Sequence, residues 1–517
     1  MTLPRGPVAK LLGTPSAWSR RSVWGPAVLG LAGIVAIVVS ACLPGSPFSL
    51  QRPDAWFFGV PTSPGPVRPG PGLRVLELAG GFGGLVVLAR SWLALLRAAR
   101  TPQVPVKVLA RVFGAWMVPL LVAPPLFSTD VYSYAAQGEM VSWHISPYLY
   151  GPSVLGVTPF ATLSHGVWSS TASPYGPLFL GLAGGLVRLA GHQVLRSLIL
   201  FRLLTVAGVV LAAACVPSLA RRHGCPPGPA FVLGAMNPLI LLFVVGSAHN
   251  DGLLLGLVTA GVLLASHRRW LPAILLCTLA AAVKAPGLLP LGYVVWSWLH
   301  QAPGRWAALR RGALAVATVG GTFLVLDRLT GLGWGWLRNL GAPGEVFSWT
   351  TPVDLGATAV HSAVGWVGID ASTGHVVSAM HVVGLVAAAA VATALWWRSR
   401  ALDLTAIGAS LVVFALLGPT AQPWYLTWGL PLLAAGAGRR WQAWLAWGPI
   451  VVVFVDLLDA NTLIEQLRHV GPIGSLLVLA IVLSLAGFRP RPSSPRGTVV
   501  QPSAPTALAT ASALVTA

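Results

Sequence analysis

Charge is what this sequence has least of. Only 9% of its 517 residues are Asp, Glu, Lys or Arg, where soluble domains carry roughly 25%. The acids are scarcest, 13 Asp and Glu against 33 Lys and Arg. A chain 55% hydrophobic has too few charges to dress the surface of a soluble domain. Cysteine is also rare: Cys42, Cys215, Cys225 and Cys277 stand alone, which argues against a disulfide framework and a zinc site. Polar and apolar residues do not alternate, so a transmembrane barrel is excluded. No internal repeat is evident, and many transporters are built from repeated halves. The net charge of +20 does not indicate nucleic acid, because the basic residues form pairs between apolar runs and no basic face or stripe.

What the chain does have is a succession of apolar runs of about 20 residues, the length that crosses a bilayer core of ~30 Å. This predicts an all-α polytopic membrane protein with about 14 transmembrane helices. They are expected near 23–43, 75–96, 108–126, 197–219, 229–247, 251–266, 270–283, 286–300, 312–327, 376–397, 403–419, 424–438, 441–457 and 472–488. With a cytoplasmic N-terminus, Arg20/Arg21, Arg97/Arg100, Arg221/Arg222, Arg268/Arg269, Arg310/Arg311, Arg398/Arg400 and Arg439/Arg440 all fall inside, as the positive-inside rule asks. Residues 1–22 are then a cytoplasmic tail. Residues 23–488 form one transmembrane domain with large outer loops at 127–196 and 328–375, and 489–517 form a Ser/Pro/Ala-rich tail expected to be disordered. The short apolar segment 175–191 is laid flat on the outer surface, since making it a span would put Arg221/Arg222 outside. "VSAC" before Cys42 loosely fits a lipoprotein cleavage box, but the many spans that follow favour an uncleaved first helix.

Against this background "FSTDVYSYAAQGEM" (127–140) is anomalous. It carries Asp130, Glu139, Tyr132, Tyr134 and Gln137 in a stretch with no Lys or Arg between Arg111 and Arg188. Three further segments put polar residues on the same outer side: "GSAHNDG" with His249, Asn250 and Asp251, "AAAVKAPGLLP" with Lys284, and "GPTAQPWYLTW" with Gln422, Trp424 and Tyr425. The spans themselves hold few ionisable residues at mid-depth, Arg90 being the main exception. Bland roles exist for each. Lys284 could snorkel, Trp424, Tyr425 and Trp428 could form an interfacial belt, and Asn250 or Asp251 could cap a helix. Asp130 could cap an interfacial helix from Val131, and Glu139 could be a solvated loop residue.

Their convergence at one depth outweighs these readings. A carboxylate facing a watery cavity can serve as general base to a hydroxyl, and a lysine can neutralise a phosphate. Aromatic rings beside Asn, Gln and Asp suit a sugar. Together they fit glycosyl transfer from a lipid-linked phosphosugar. Transport, for instance a lipid-linked sugar flippase, is the main rival, and a non-enzymatic scaffold a third possibility.

The segments "STDVYSYAAQGEM", "SPYLYGP", "SPYGPLFL", "NPLILLFVVGSAHNDGLLLGL", "AAAVKAPGLL" and "QPWYLTWGLPLLA" resemble the actinobacterial polyprenyl-phosphate-mannose-dependent α-1,6-mannosyltransferases. These are C-type glycosyltransferases with many membrane helices and an extracytoplasmic active site. The resemblance implies inverting transfer of mannose onto the α-1,6-mannan core of lipomannan and lipoarabinomannan, with Asp130 as the catalytic base. On the residues' own chemistry, Lys284, His249, Asn250 and Asp251 are expected to bind the donor phosphate and sugar, and Tyr132, Tyr134, Tyr175, Gln422, Trp424 and Tyr425 the sugar or acceptor. Many C-type enzymes carry two adjacent acids in this loop, whereas Asp130 stands between Thr129 and Val131. That departure suggests a metal-independent enzyme with a monophosphate donor and no cofactor. The expected partners are polyprenyl-phosphate mannose, a lipid-anchored mannan and the bilayer, with no nucleic acid.

Overall fold

The computed structural model of the chain describes residues 20–43, 46–49, 70–101, 103–164, 166–345, 351–367, 372–399, 402–438, 441–456 and 464–486. Residues 1–19, most of the linker expected at 44–74, Trp349, Arg439/Arg440 and the tail at 489–517 lie outside the described residues. Among the described residues every regular element is a helix. That is what an apolar solvent demands, because a helix satisfies its own backbone hydrogen bonds.

Of the roughly fourteen transmembrane helices expected, at most six are established by helix length and composition among the described residues. Among the described residues, five helices are long and apolar enough to cross: Val23–Cys42, Pro71–Ala99, Val194–Arg222, Arg305–Thr330 and Thr373–Arg398. A sixth arises if Ile240–Gly246 and Asp251–Ser266, bent by 116°, count as one broken span. The other apolar runs exist as shorter pieces, among them Pro177–Leu189, Trp270–Ala281, Leu288–His300 and Leu404–Leu417. Proline is the physical reason, since it removes an N–H and clashes with the preceding turn. The run at 229–247 divides at Asn237–Pro238 into Pro227–Gly234 and a π-helical Ile240–Gly246. Asn237 bridges the division, donating from Nδ2 to Leu233 O and accepting at Oδ1 from Leu239 N. The run at 424–438 becomes a 3₁₀ segment Pro423–Trp428 followed by Leu430–Gly436. The loop expected at 328–375 also contains a helix of its own, Pro352–Trp366.

The helices that frame the site pack closely. Val194–Arg222 lies against Asp251–Ser266 through Gly208, Gly252 and Gly256, and a Cβ on Gly208 would sit 2.2 Å from Gly252 O. Small residues at such crossings let two backbones meet. At the cation-rich end, Arg222 donates to Ser266 O, Arg311 to Trp298 O and Arg100 to Gln442 Oε1. Segments whose cations the sequence assigns to the same side are thus joined in pairs. Two apolar cores result, one containing Trp92, Trp116 and Phe243 and the other Tyr132, Phe179 and Tyr293. Tyr425 and Leu426 pack against both, so the seam between the cores runs where the unusual polar residues gather.

Candidate active site

At that seam a cavity of about 440 Å³ is lined by Asp130 and Lys284 together with Tyr175, Gln422, Trp424 and Tyr425. Four sequence-distant segments thus meet in one chamber. The Val106–Val122 helix ends at "APP", where Ala123 turns extended because consecutive prolines forbid another helical turn. The chain restarts as Asp130–Ser142, with Asp130 itself as first residue and Thr129 before it. The Asp130 N–H donates to Ser128 Oγ at 3.2 Å, and its carboxylate Oδ2 lies 3.6 Å from His249 Nδ1. Asp130 precedes no long apolar helix and lies outside the membrane-spanning segments. Burial raises its carboxyl from 3.8 to about 6. Lys284 opposes that rise, Asp251 reinforces it, and hydrogen bonds from Ser128 and Tyr134 pull the other way. Lys284, distant in sequence, is near enough to act on this acid, and desolvation outweighs it.

Asp251 opens the Asp251–Ser266 helix and is fully buried. Its two oxygens each lie 3.0 Å from Lys284 Nζ, and Trp428 Nε1 donates to Oδ1 at 2.5 Å. The ammonium also faces the rings of Tyr425 at 4.5 Å and Trp428 at 5.5 Å, a cation–π arrangement. Lys284 therefore does not snorkel, and its charge is already shared with Asp251. Trp428 stacks on Tyr425 at 4.4 Å, and Trp424 stacks on the His249 ring at 4.0 Å. These aromatics belong to the chamber wall and form no interfacial belt.

Several assignments change. Tyr132 and Tyr134 are fully buried and are not cavity-lining. Tyr134 Oη instead lies 3.1 Å from His249 Nδ1 and fixes that ring. Tyr132 and Tyr134 thus lie behind the lining. His249, Asn250 and Asp251 likewise sit behind the wall. Asn250 occupies a cap position without a side-chain cap bond, and its buried amide atoms have no hydrogen-bond partner among the described residues. Glu139 is buried, not solvated; its Oε2 lies 2.7 Å from His192 Nδ1, on a side of the helix away from the chamber. Among the described residues, no three His, Cys, Asp or Glu side chains gather as metal ligands.

Sequence reasoning missed the roof and one cation. Trp168, Pro174 and Leu340 also line the cavity. The two loops that supply them are clasped by Asn339, whose Nδ2 donates to Tyr148 O and Ser173 O at 3.1 Å each. Nothing in the composition of those loops signals the contact. The missed cation is Arg202, buried within the Val194–Arg222 helix; its signal was present as a lone Arg in an apolar run. The opposite wall is apolar, with Leu288, Leu289, Leu385 and Phe414. Leu288 is 42% and Leu385 38% exposed, so the chamber opens sideways between the Leu288–His300 and Thr373–Arg398 helices. Further along, those helices close by Tyr293 against Trp396 and Trp296 against Trp397.

Comparison with known proteins gives this chamber a family. Residues 27–300 match the model of the alpha-(1->6)-mannopyranosyltransferase N-terminal domain, and 352–486 match the MptB C-terminal domain. The chain is 33% identical over 428 residues to alpha-(1->6)-mannopyranosyltransferase A of Mycobacterium tuberculosis, covering 80% of this chain and 81% of that protein. It is 30% identical over 524 residues to a probable alpha-(1->6)-mannopyranosyltransferase of Mycolicibacterium smegmatis, covering 92% and 91%. An alpha-(1->6)-mannopyranosyltransferase B of Corynebacterium glutamicum is 30% identical over 66% of this chain and 60% of its own length. No solved structure matches the chain. Asp130, Tyr175, Lys284, Gln422, Trp424 and Tyr425 all fall within the two matched regions, and the chain belongs to the alpha-(1->6)-mannopyranosyltransferase family and is a mannosyltransferase.

Proposed function

We propose that the protein transfers mannose from polyprenyl-phosphate mannose to an α-1,6-mannan acceptor of the lipomannan type, with inversion, on the extracytoplasmic face. The observation that carries this reading is a single chamber in which a carboxylate and an ammonium share the wall with aromatic rings while the far wall is apolar and opens sideways. A lipid-linked phosphosugar has that same polarity: an isoprenoid tail, one phosphate and a sugar with apolar faces and polar edges. The cation-poor end of the bundle carries the chamber, which supports the extracytoplasmic assignment.

In the proposed reaction Asp130 accepts the proton of the acceptor hydroxyl as its oxygen bonds to the anomeric carbon. The bond from that carbon to the phosphate oxygen breaks on the opposite face, and its electron pair leaves with polyprenyl phosphate. A carboxyl held at about 6 is ionised at neutral pH yet basic enough to take a proton, which is the compromise general-base catalysis favours. Lys284 faces the departing phosphate as a point charge. Its pairing with Asp251 holds it in place, and charge developing on phosphate draws it forward. Gln422, Tyr175 and Trp424 line the sugar space. No metal is needed in this scheme.

The test supplies labelled polyprenyl-phosphate mannose and a short α-1,6-mannoside to purified protein in lipid nanodiscs. Elongation of the acceptor by wild type supports the reading. Movement of labelled lipid across sealed vesicles without elongation would replace it with the flippase reading.

A further inference from the structure

Arg202 stands eight residues into the Val194–Arg222 helix, inside its apolar run and 2% exposed. A charge in that position survives only if its donors are met. Its guanidinium donates to Leu121 O at 3.4 Å, to Ala123 O, and to Gly246 O at 2.9 Å. These carbonyls close two helices, Val106–Val122 and the π-helical Ile240–Gly246. They lack the following N–H that a continuing helix would provide. One turn further along the same helix face, Thr205 Oγ1 donates to His249 O at 3.0 Å. The two chain ends are also joined to each other, Ser247 Oγ to Leu126 O at 2.5 Å and Leu126 N to Gly246 O at 3.2 Å.

What these ends carry gives the stitch its meaning. The first passes through Phe127 at φ 58° and reaches Asp130 three residues later. The second passes through Ala248 at φ 57° and reaches His249 and Asp251. Neither is glycine, so both turns hold left-handed backbone that relaxes unless something fixes it. Arg202, from a third helix, touches both.

We propose that Arg202 is a positioning residue of the transfer reaction. It sets the spacing between the turn bearing Asp130 and the turn bearing Asp251, and so between the proton acceptor and the Lys284 ammonium that Asp251 holds. Arg202 meets no substrate. Its role rests on the functional reading above, in which Asp130 and Lys284 face acceptor and phosphate. Displacing reacting groups by about 1 Å costs on the order of 100-fold in rate.

The experiment compares wild type, Arg202→Lys and Thr205→Val as full-length protein in nanodiscs, with polyprenyl-phosphate mannose and an α-1,6-mannoside. Lysine keeps the charge and loses the fork that reaches three carbonyls. The expected result for Arg202→Lys is a kcat lowered roughly 10- to 100-fold, with both KM values within about threefold and the loss exceeding any loss of folded protein. Thr205→Val, which removes the hydroxyl shared between His249 O and the Phe201 O of its own helix, is expected to lower kcat several-fold with little change in melting temperature. Adding Ala248→Gly, which relieves the strained turn, should recover part of the Arg202→Lys loss, an effect that lost packing would not produce. Undiminished kcat in Arg202→Lys, or a loss that tracks the folded fraction, overturns the proposal. Where Arg202→Lys does not fold, undiminished kcat in Thr205→Val overturns it. A wild type inactive with this donor sinks the functional reading, and the positioning role with it.

Discussion

Replacing Asp130 with Asn should separate chemistry from stability, because the two effects of this carboxyl have opposite signs. Burial raises it from 3.8 to about 6, a shift of roughly 2 units, or about 3 kcal/mol against the charged form. The carboxyl is protonated in folded and unfolded states alike below 3.8, so no penalty exists there. The penalty grows as pH rises from about 4 to 6 and is complete above 6. The amide of the Asp130→Asn variant is neutral throughout, so that variant is expected to melt at or above the wild-type temperature at pH 7.5, and the gap should close by pH 4. Transfer responds the other way. Loss of a general base costs about 10²- to 10⁴-fold, and wild-type kcat/KM should fall tenfold per pH unit below about 6. The assay is mannosyl transfer in nanodiscs across pH 5–8, with thermal melts in the same buffers. A variant that retains more than about a tenth of the activity, or that melts progressively lower than wild type as pH rises, refutes the reasoning.

Three further outcomes are expected. Lys284→Met leaves the fully buried Asp251 carboxylate without its cation, which should cost about 3–5 kcal/mol; adding Asp251→Asn should restore much of the melting temperature, and equal instability of single and double variants would show that the pair is uncoupled. A strong chelator should leave transfer unchanged, and loss of activity restored by a divalent cation would overturn the metal-free scheme. Asn339→Ala removes two bonds to loop carbonyls, worth about 1 kcal/mol each, and should speed proteolysis within 144–176; an unchanged cleavage rate would mean the clasp does not hold the roof.

The membrane class and the four convergent segments were legible in the sequence because both depend on composition along the chain. Asp130, Lys284, Gln422, Trp424, Tyr425 and Tyr175 do share one cavity wall. What could not be read was which side of a wall a residue occupies. Tyr132 and Tyr134 follow Asp130 on one helix, and only packing decides that Tyr134 turns inward to His249. Hydropathy counts apolar residues and is blind to the prolines that divide a run into shorter helices, as at Pro238 and Pro423. The clasp of Asn339 on residues 191 and 166 positions away leaves no local pattern at all.

The shortness of the helices near the chamber has a mechanical consequence. Trp270–Ala281, Leu288–His300 and Leu404–Leu417 have 12, 13 and 14 residues, which at 1.5 Å per residue give about 18–21 Å, against a hydrocarbon core of ~30 Å. Where such a helix meets lipid across the whole core, the bilayer would have to thin or water dip inward to reach the helix ends. A lipid substrate arriving at the side opening would then find its headgroup lowered by the shape of the bilayer itself. On the proposed function, bilayer elasticity would then help load the enzyme, and acyl-chain length in the surrounding lipid would control how readily it turns over.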